Sequence, residues 1–336
     1  MPVDGHFGPF HKSKQMILSV LGILFPVVLL LALGATLRCI GFFDEAFASK
    51  LLRLVFYTAL PCMLAGSISR AGSLGGVGAA TLALCGTAVL VCALAALLAR
   101  PLGIPRSSAP SFCQTAFRGN AAYVGVPVLS LATAGTASGE ETMRVAMLTL
   151  AAYSVLCNVG AVLLLAGGRA HCGADGAPPL RRRIRHLVGE MAANPLIVGS
   201  LAGLALLALR RGFGVALPAP VAKTMSLLGA MATPGALLAL GASLTPERLR
   251  AALRPAALAV AFKLALCPLL GAAVIAALAL PPAHRIAVLV YLACPCSTAS
   301  YIMDKAMGGD ADLSGAAVVL STVLCSISIA AVLLLQ

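Results

Sequence analysis

The apolar residues of this chain come in blocks. Marking the runs between charges and turn residues gives ten segments: 15–37, 51–69, 73–99, 107–134, 145–168, 189–209, 223–245, 255–280, 286–304 and 313–335. A helix rises 1.5 Å per residue, so about 20 apolar residues cross a ~30 Å hydrocarbon core. Barrel strands alternate every second residue, whereas these runs are apolar all round. The pattern predicts an all-α membrane protein with about ten transmembrane helices. Two runs are interrupted: the fourth by Gln114, Arg118, Asn120 and Pro127, the ninth by Cys294, Pro295 and Cys296. Arg38 and Cys39 follow the first run without a small-residue cleavage site, so it reads as a retained helix and not a signal peptide.

Composition agrees. Only 10% of residues are charged, 60% are hydrophobic and mean hydropathy is +1.00, whereas a soluble domain carries roughly a quarter charged residues. The net charge of +13 is spread over short loops with no aromatic-studded basic face. Lipid headgroups therefore account for it better than nucleic acid. The longest loop, 169–188, holds five arginines. With ten spans, its side of the membrane collects 14 Lys and Arg, the side of the termini eight, and Arg118 and Lys263 fall within runs. Positive loops stay cytoplasmic, so the bias predicts a multi-pass protein of the cell (inner) membrane with both termini outside. The eleven cysteines form no framework. Cys294 and Cys296 flank Pro295, but no histidine lies inside a run to complete a soft-metal site, and no metal or cofactor is expected.

A repeat is written in the prolines. Pro26, Pro61 and Pro127 lie in runs one, two and four; Pro195, Pro234 and Pro295 lie in runs six, seven and nine. The offsets are 169, 173 and 168 residues, close to half the chain. Together with the basic loop at the midpoint, this predicts two five-helix halves, 1–168 and 189–336, joined by the cytoplasmic loop 169–188. An odd number of spans per half makes the second half enter from the opposite face, the inverted repeat of secondary transporters.

Runs four and nine should then be broken helices. Proline removes a backbone donor and clashes with the preceding turn, and Gly119, Gly125 and Pro127 cluster near mid-depth. Freed backbone groups are tolerated there only beside a cavity or buried in protein. Arg118 lies twelve residues beyond Arg106, roughly 18 Å along a helix, too deep for comfortable snorkelling. All eleven acidic residues lie in loops or near run ends, Glu190 and Asp304 coming closest to entering one. An arginine without an acidic partner suits an anionic ligand such as a carboxylate; a water-filled vestibule or an end-of-helix acceptor would explain it as well. The same lack of acids predicts transport driven by the substrate's own charge and gradient. In a regular helix Arg118 would sit roughly 200° around the axis from Asn120, which makes Asn120 the expected direct contact, beside backbone N–H groups freed near Pro127 and Pro295.

Four stretches carry a resemblance: FRGNAAYVGVPVLSLA (117–132), ANPLIVGSLAGLAL (193–206), MATPGALLALGASL (231–244) and ACPCSTASYIMDKAMGGD (293–310). Their order and spacing resemble the auxin efflux carrier family from about residue 16 to 335. The resemblance implies ten helices in two inverted halves, with broken helices four and nine crossing at the substrate site. It also implies a scaffold of helices one, two, six and seven beside a moving transport domain of helices three to five and eight to ten. Members move organic anions: auxin in plants, and malate, malonate or similar acids in bacteria. Asn120 matches the family's helix-four asparagine, and Pro127 and Pro295 match the crossover prolines. Where plant exporters often place a glutamine after the second proline this chain has Cys296, followed by Ser297 and Thr298. The short central loop resembles bacterial members.

The expectation is a secondary transporter for a small carboxylate, with membrane lipids as its surroundings. Alternatives are a sodium-coupled symporter of the bile-acid type, and a transporter-like sensor or channel. An enzyme is disfavoured: Glu140-Glu141-Thr142-Met143-Arg144 comes within one residue of the EExxxR of glutamic membrane proteases, but no histidine lies within a run. The GSLAG stretch (199–203) offers a small-residue face for close helix packing, within the chain or in a homodimer.

Overall fold

The computed structural model describes residues 9–70, 76–134, 136–171, 189, 194–243 and 245–334. The arginines at 181–185, Cys172 and Glu190 lie outside the described residues. The helices are α1 (Pro9–Cys39), α2 (Glu45–Leu54), α3 (Leu60–Ser69), α4 (Gly78–Ala99), α5 (Ala109–Phe117), α6 (Val126–Ala132), α7 (Gly139–His171) and α8 (Pro195–Phe213). They continue with α9 (Ala219–Ala230), α10 (Ala232–Ser243), α11 (Pro246–Ala261), α12 (Cys267–Ala277), α13 (Pro282–Ala293), α14 (Thr298–Met307) and α15 (Ala311–Leu334). Among the described residues every regular element is helical, and extended backbone pairs once, between Gly119 and Cys296.

Seven helical segments among the described residues are long and apolar enough to cross a membrane, and Phe25–Cys39, Ala121–Ala132 and Pro282–Ala293 are shorter apolar helices. Their outward faces stay apolar, as at Leu97 and Phe213, which are 71% and 78% exposed. Runs four and nine are not single helices: α5 and α6 divide one, α13 and α14 the other.

Proline shapes the other spans more gently. Three π-helical turns, Val55–Ala59, Ala121–Gly125 and Phe262–Leu266, each end two residues before a proline: Pro61, Pro127 and Pro268. Proline cannot donate to the carbonyl four residues back and its ring crowds that carbonyl. Widening the preceding turn to i→i+5 bonding absorbs the misfit without ending the helix. Pro127 is therefore carried inside a continuous helix, and the break in run four falls earlier, at 118–120.

Glycines set the closest helix contacts. A Cβ on Gly199 would stand 2.7 Å from the Pro61 Cα, and one on Gly203 would stand 3.0 Å from the Ala65 Cα, so α8 lies directly on α3. Gly34 faces the Leu238 carbonyl and Gly241 the Leu31 carbonyl, each too close for a side chain, so α1 and α10 cross the same way. Small residues permit such backbone approach where dispersion drives association. The GSLAG face is thus occupied inside the chain and carries no argument for a homodimer.

Buried apolar residues form two clusters. One holds Leu84, Phe112, Tyr153, Val288, Tyr291 and Ile329, from α4, α5, α7, α13 and α15. The other holds Phe56, Leu60, Val162, Leu196, Leu240, Val260, Ile302 and Val318, from the α2–α3 region, α7, α8, α10, α11, α14 and α15. The loops sort onto two faces. Arg248 pairs with Glu45 at 3.2 Å and Arg254 donates to the Leu102 carbonyl at 3.5 Å, which joins segments 38–53, 100–106 and 248–254. Opposite them, Glu141 meets Arg144 at 2.7 Å and His284 at 3.3 Å.

Candidate functional site

Both breaks are short extended segments. Arg118 (φ −80°, ψ 109°) leaves α5, and Asn120 (φ −82°, ψ 56°) leads into the π-turn before α6. Cys294 (φ −62°, ψ 151°) leaves α13, and Ser297 (φ −73°, ψ 132°) leads into α14. The segments run antiparallel: the Asn120 N–H donates to the Pro295 carbonyl at 2.8 Å and the Ser297 N–H to the Arg118 carbonyl at 3.0 Å. Tyr153 accepts from the Gly119 N–H and donates to the Phe117 carbonyl, both at 3.0 Å. The Cys296 N–H reaches Ser321 Oγ at 2.9 Å. Each freed backbone group named here has a protein partner, as burial demands.

Glycine is required at 119. A Cβ there would meet the Lys263 Cε at 2.9 Å and the Tyr291 carbonyl oxygen at 3.0 Å. Lys263 is fully buried in the π-turn between α11 and α12, and its ammonium donates to the Leu292 carbonyl at 2.5 Å and the Tyr291 carbonyl at 3.5 Å. A cation thus caps the C-terminal end of α13, where the helix dipole is negative.

The opposite ends of the broken helices face a cavity of about 60 Å³. Ala121, Ala122 and Tyr123, the first residues after one break, and Thr298, the first of α14, line it. First-turn N–H groups have no intrahelical acceptor, so two positive helix ends converge on one space. Arg118, Asn120 and Ser297 line the same cavity, with Met63 and Thr233 from the other apolar cluster's helices across from them. Asn120, 6% exposed, makes no side-chain hydrogen bond to a described residue. Arg118 is also 6% exposed; it donates to Asn158 Oδ1 at 2.5 Å and Met303 Sδ at 2.8 Å. No ion pair joins it to a carboxylate among the described residues.

Residues 19–333 match the family model described as membrane transport protein. The chain belongs to this family of membrane transporters. It is the auxin efflux carrier grouping whose motifs the sequence resembles. Comparison with curated proteins gave no match.

In this transporter the residues singled out from sequence separate. Arg118, Asn120 and Ser297 come together on the cavity wall; because 118–120 is extended, the 200° separation of a regular helix does not keep the first two apart. Pro295 forms the break and lends its carbonyl to Asn120. Cys296 is buried behind the break, and Pro127 sits one turn into its helix, so neither lines the cavity. Sequence reasoning missed Lys263, Tyr153 and Asn158. Lys263 carried the same signal as Arg118, a charge inside an apolar run; Tyr153 and Asn158 had none, because their role depends on the neighbouring helix.

Asp304, the last residue of run nine, is fully buried and accepts hydrogen bonds from Ser111 and Gln114 of run four.

Proposed function

We propose that the transporter moves a small organic anion, a carboxylate, by alternating access between two inverted five-helix halves (1–168 and 189–336). The observation that carries this reading is the cavity where two helix N-termini and the unpaired Arg118 converge. A site with that much positive character and no acidic partner is complementary to an anion, and its size suits a small acid. The helix contacts support the repeat. An operation relating span one to six and two to seven turns the α1–α10 contact into the α8–α3 contact, and both are present. By the family resemblance, spans one, two, six and seven would form a scaffold beside a mobile group of three to five and eight to ten.

Thermal-shift titration of the purified protein with malonate, malate and larger carboxylates tests the reading, since a ligand stabilises the state it binds. At least one small dicarboxylate should raise the Tm in a saturable way. Asn120→Ala should weaken that ligand by about 1–3 kcal/mol, roughly 5- to 150-fold. Unchanged affinity in a folded Asn120→Ala protein would remove Asn120 from the site.

The inner membrane, with loop 169–188 cytoplasmic, is the orientation the charge bias supports. A thiol reagent that cannot cross membranes should leave Cys172 unlabelled on intact cells. Strong labelling there reverses the orientation.

A further inference from the structure

Asp304 lies on α14, one helical turn beyond Ser300, and both face α5. Its Oδ1 accepts from Ser111 Oγ at 2.8 Å and Gln114 Nε2 at 2.5 Å. Its Oδ2 has no partner, and neither do Gln114 Oε1 and Ser300 Oγ, on side chains packed around it. No cation makes an ion pair with it among the described residues. A buried carboxylate left ionised without a cation is expensive, and such groups neutralise instead. A proton on Oδ2 removes the charge that burial disfavours and turns the unpartnered acceptor into a donor. A hard metal cation fits less well: it takes roughly six oxygens, whereas Oδ1 is already held by two donors and Gln114 turns its amide N–H to the carboxylate.

The nearest opening to water lies on one face, with the carboxyl itself fully buried behind the wall. Asp304 lines a polar cavity of about 340 Å³, open to the side that carries the Arg248–Glu45 pair. Charged groups around it are Arg118 on α5, Lys305 on α14 itself, Asp310 and Asp312 at the start of α15, Arg248 on α11, and Glu45 on α2, where Lys50 and Arg53 are exposed. Asp304 does not line the anion cavity, but its chain neighbour Met303 accepts from Arg118, which does.

We propose that Asp304 is a proton-binding site of this transporter, loaded from the Arg248–Glu45 face, and that it couples anion movement to proton movement. A hydronium ion in the open cavity transfers its proton to Oδ2 and leaves as water. The coupling rests on the anion-transport reading; the binding of the proton does not.

Infrared difference spectra of the purified protein in lipid, taken between alkaline and acidic buffer, decide the binding. The C=O stretch of a protonated carboxyl should appear on acidification and be missing in Asp304→Asn, whose near-isosteric side chain keeps the packing. A difference band that is absent, or that persists in Asp304→Asn, overturns the proposal. So does a Tm that answers to Na⁺ at fixed pH and not to pH. Vesicles at zero membrane potential test the coupling with malonate as probe. An inward gradient of about one pH unit should drive roughly tenfold accumulation for one proton per anion. In Asp304→Asn the gradient should have no effect while malonate exchange continues. Accumulation in the parent that ignores the gradient overturns the coupling. If the parent does not move malonate at all, the small-carboxylate reading fails instead, and the infrared band still decides Asp304.

Discussion

Arg118→Ala is expected to abolish measurable anion binding while leaving the protein folded. The guanidinium is the nearest full positive charge to two convergent helix N-termini, and its known partners, Asn158 Oδ1 and Met303 Sδ, are neutral. Losing one member of a buried charged contact typically costs about 2–5 kcal/mol of binding, roughly 30- to 4,000-fold. Stability should change little, because relief of a buried charge without a counter-ion offsets the loss of its Asn158 and Met303 contacts. A Tm close to the parent's, with ligand-induced stabilisation gone, is the expected pair of results. Arg118→Lys keeps the charge but loses the planar fork, and should fall between. If the alanine variant binds malonate or its better homologue within threefold of the parent, about 0.6 kcal/mol, Arg118 is a structural residue and the anion sits elsewhere.

Lys263→Met should do the opposite. This ammonium is already satisfied by the protein, since the Tyr291 and Leu292 carbonyls at the end of α13 accept from it. Removing it leaves two buried acceptors at a helix terminus without a donor. At about 1–3 kcal/mol for each unsatisfied group, the loss is roughly 2–6 kcal/mol of stability. The measured consequence should be a clear fall in Tm in the ligand-free protein, with or without a change in affinity. A Tm matching the parent's would mean that the α13 terminus does not depend on this cation. Two charges inside apolar runs thus differ in their partners: helix carbonyls for Lys263, the neutral Asn158 and Met303 side chains for Arg118.

That difference explains how much of the molecule could be read from its residues. The apolar runs show as helical segments, because twenty apolar residues in a row leave few alternatives. Broken fourth and ninth runs were legible from Gly119, Pro127 and Pro295, but the position of the first break was not. Pro127 looked like the breaker, yet a π-turn accommodates it. The chain opens at Gly119 because that peptide must pair with Cys296 and clear Lys263, two partners far away in sequence. The burial of Asp304 was hidden for a related reason. Counting along the chain put it at the end of a span, whereas α14 is a half-helix packed on α5, so Asp304 on its packed face is buried although Ala306 and Gly308 close by are exposed. Tyr153 and Asn158 stood in α7 as unremarkable polar residues until the backbone they serve was known.

The antiparallel join between residues 118–120 and 295–297 has a mechanical consequence. Two backbone hydrogen bonds, with Tyr153 on one side and Lys263 on the other, clamp four half-helices at a single point. No half-helix can be displaced alone without tearing that clamp, so the cavity wall built on it has few independent degrees of freedom. Under the proposed alternating access, cargo held there would move with the whole clamped unit, and the work of opening and closing would fall to that unit's outer surfaces.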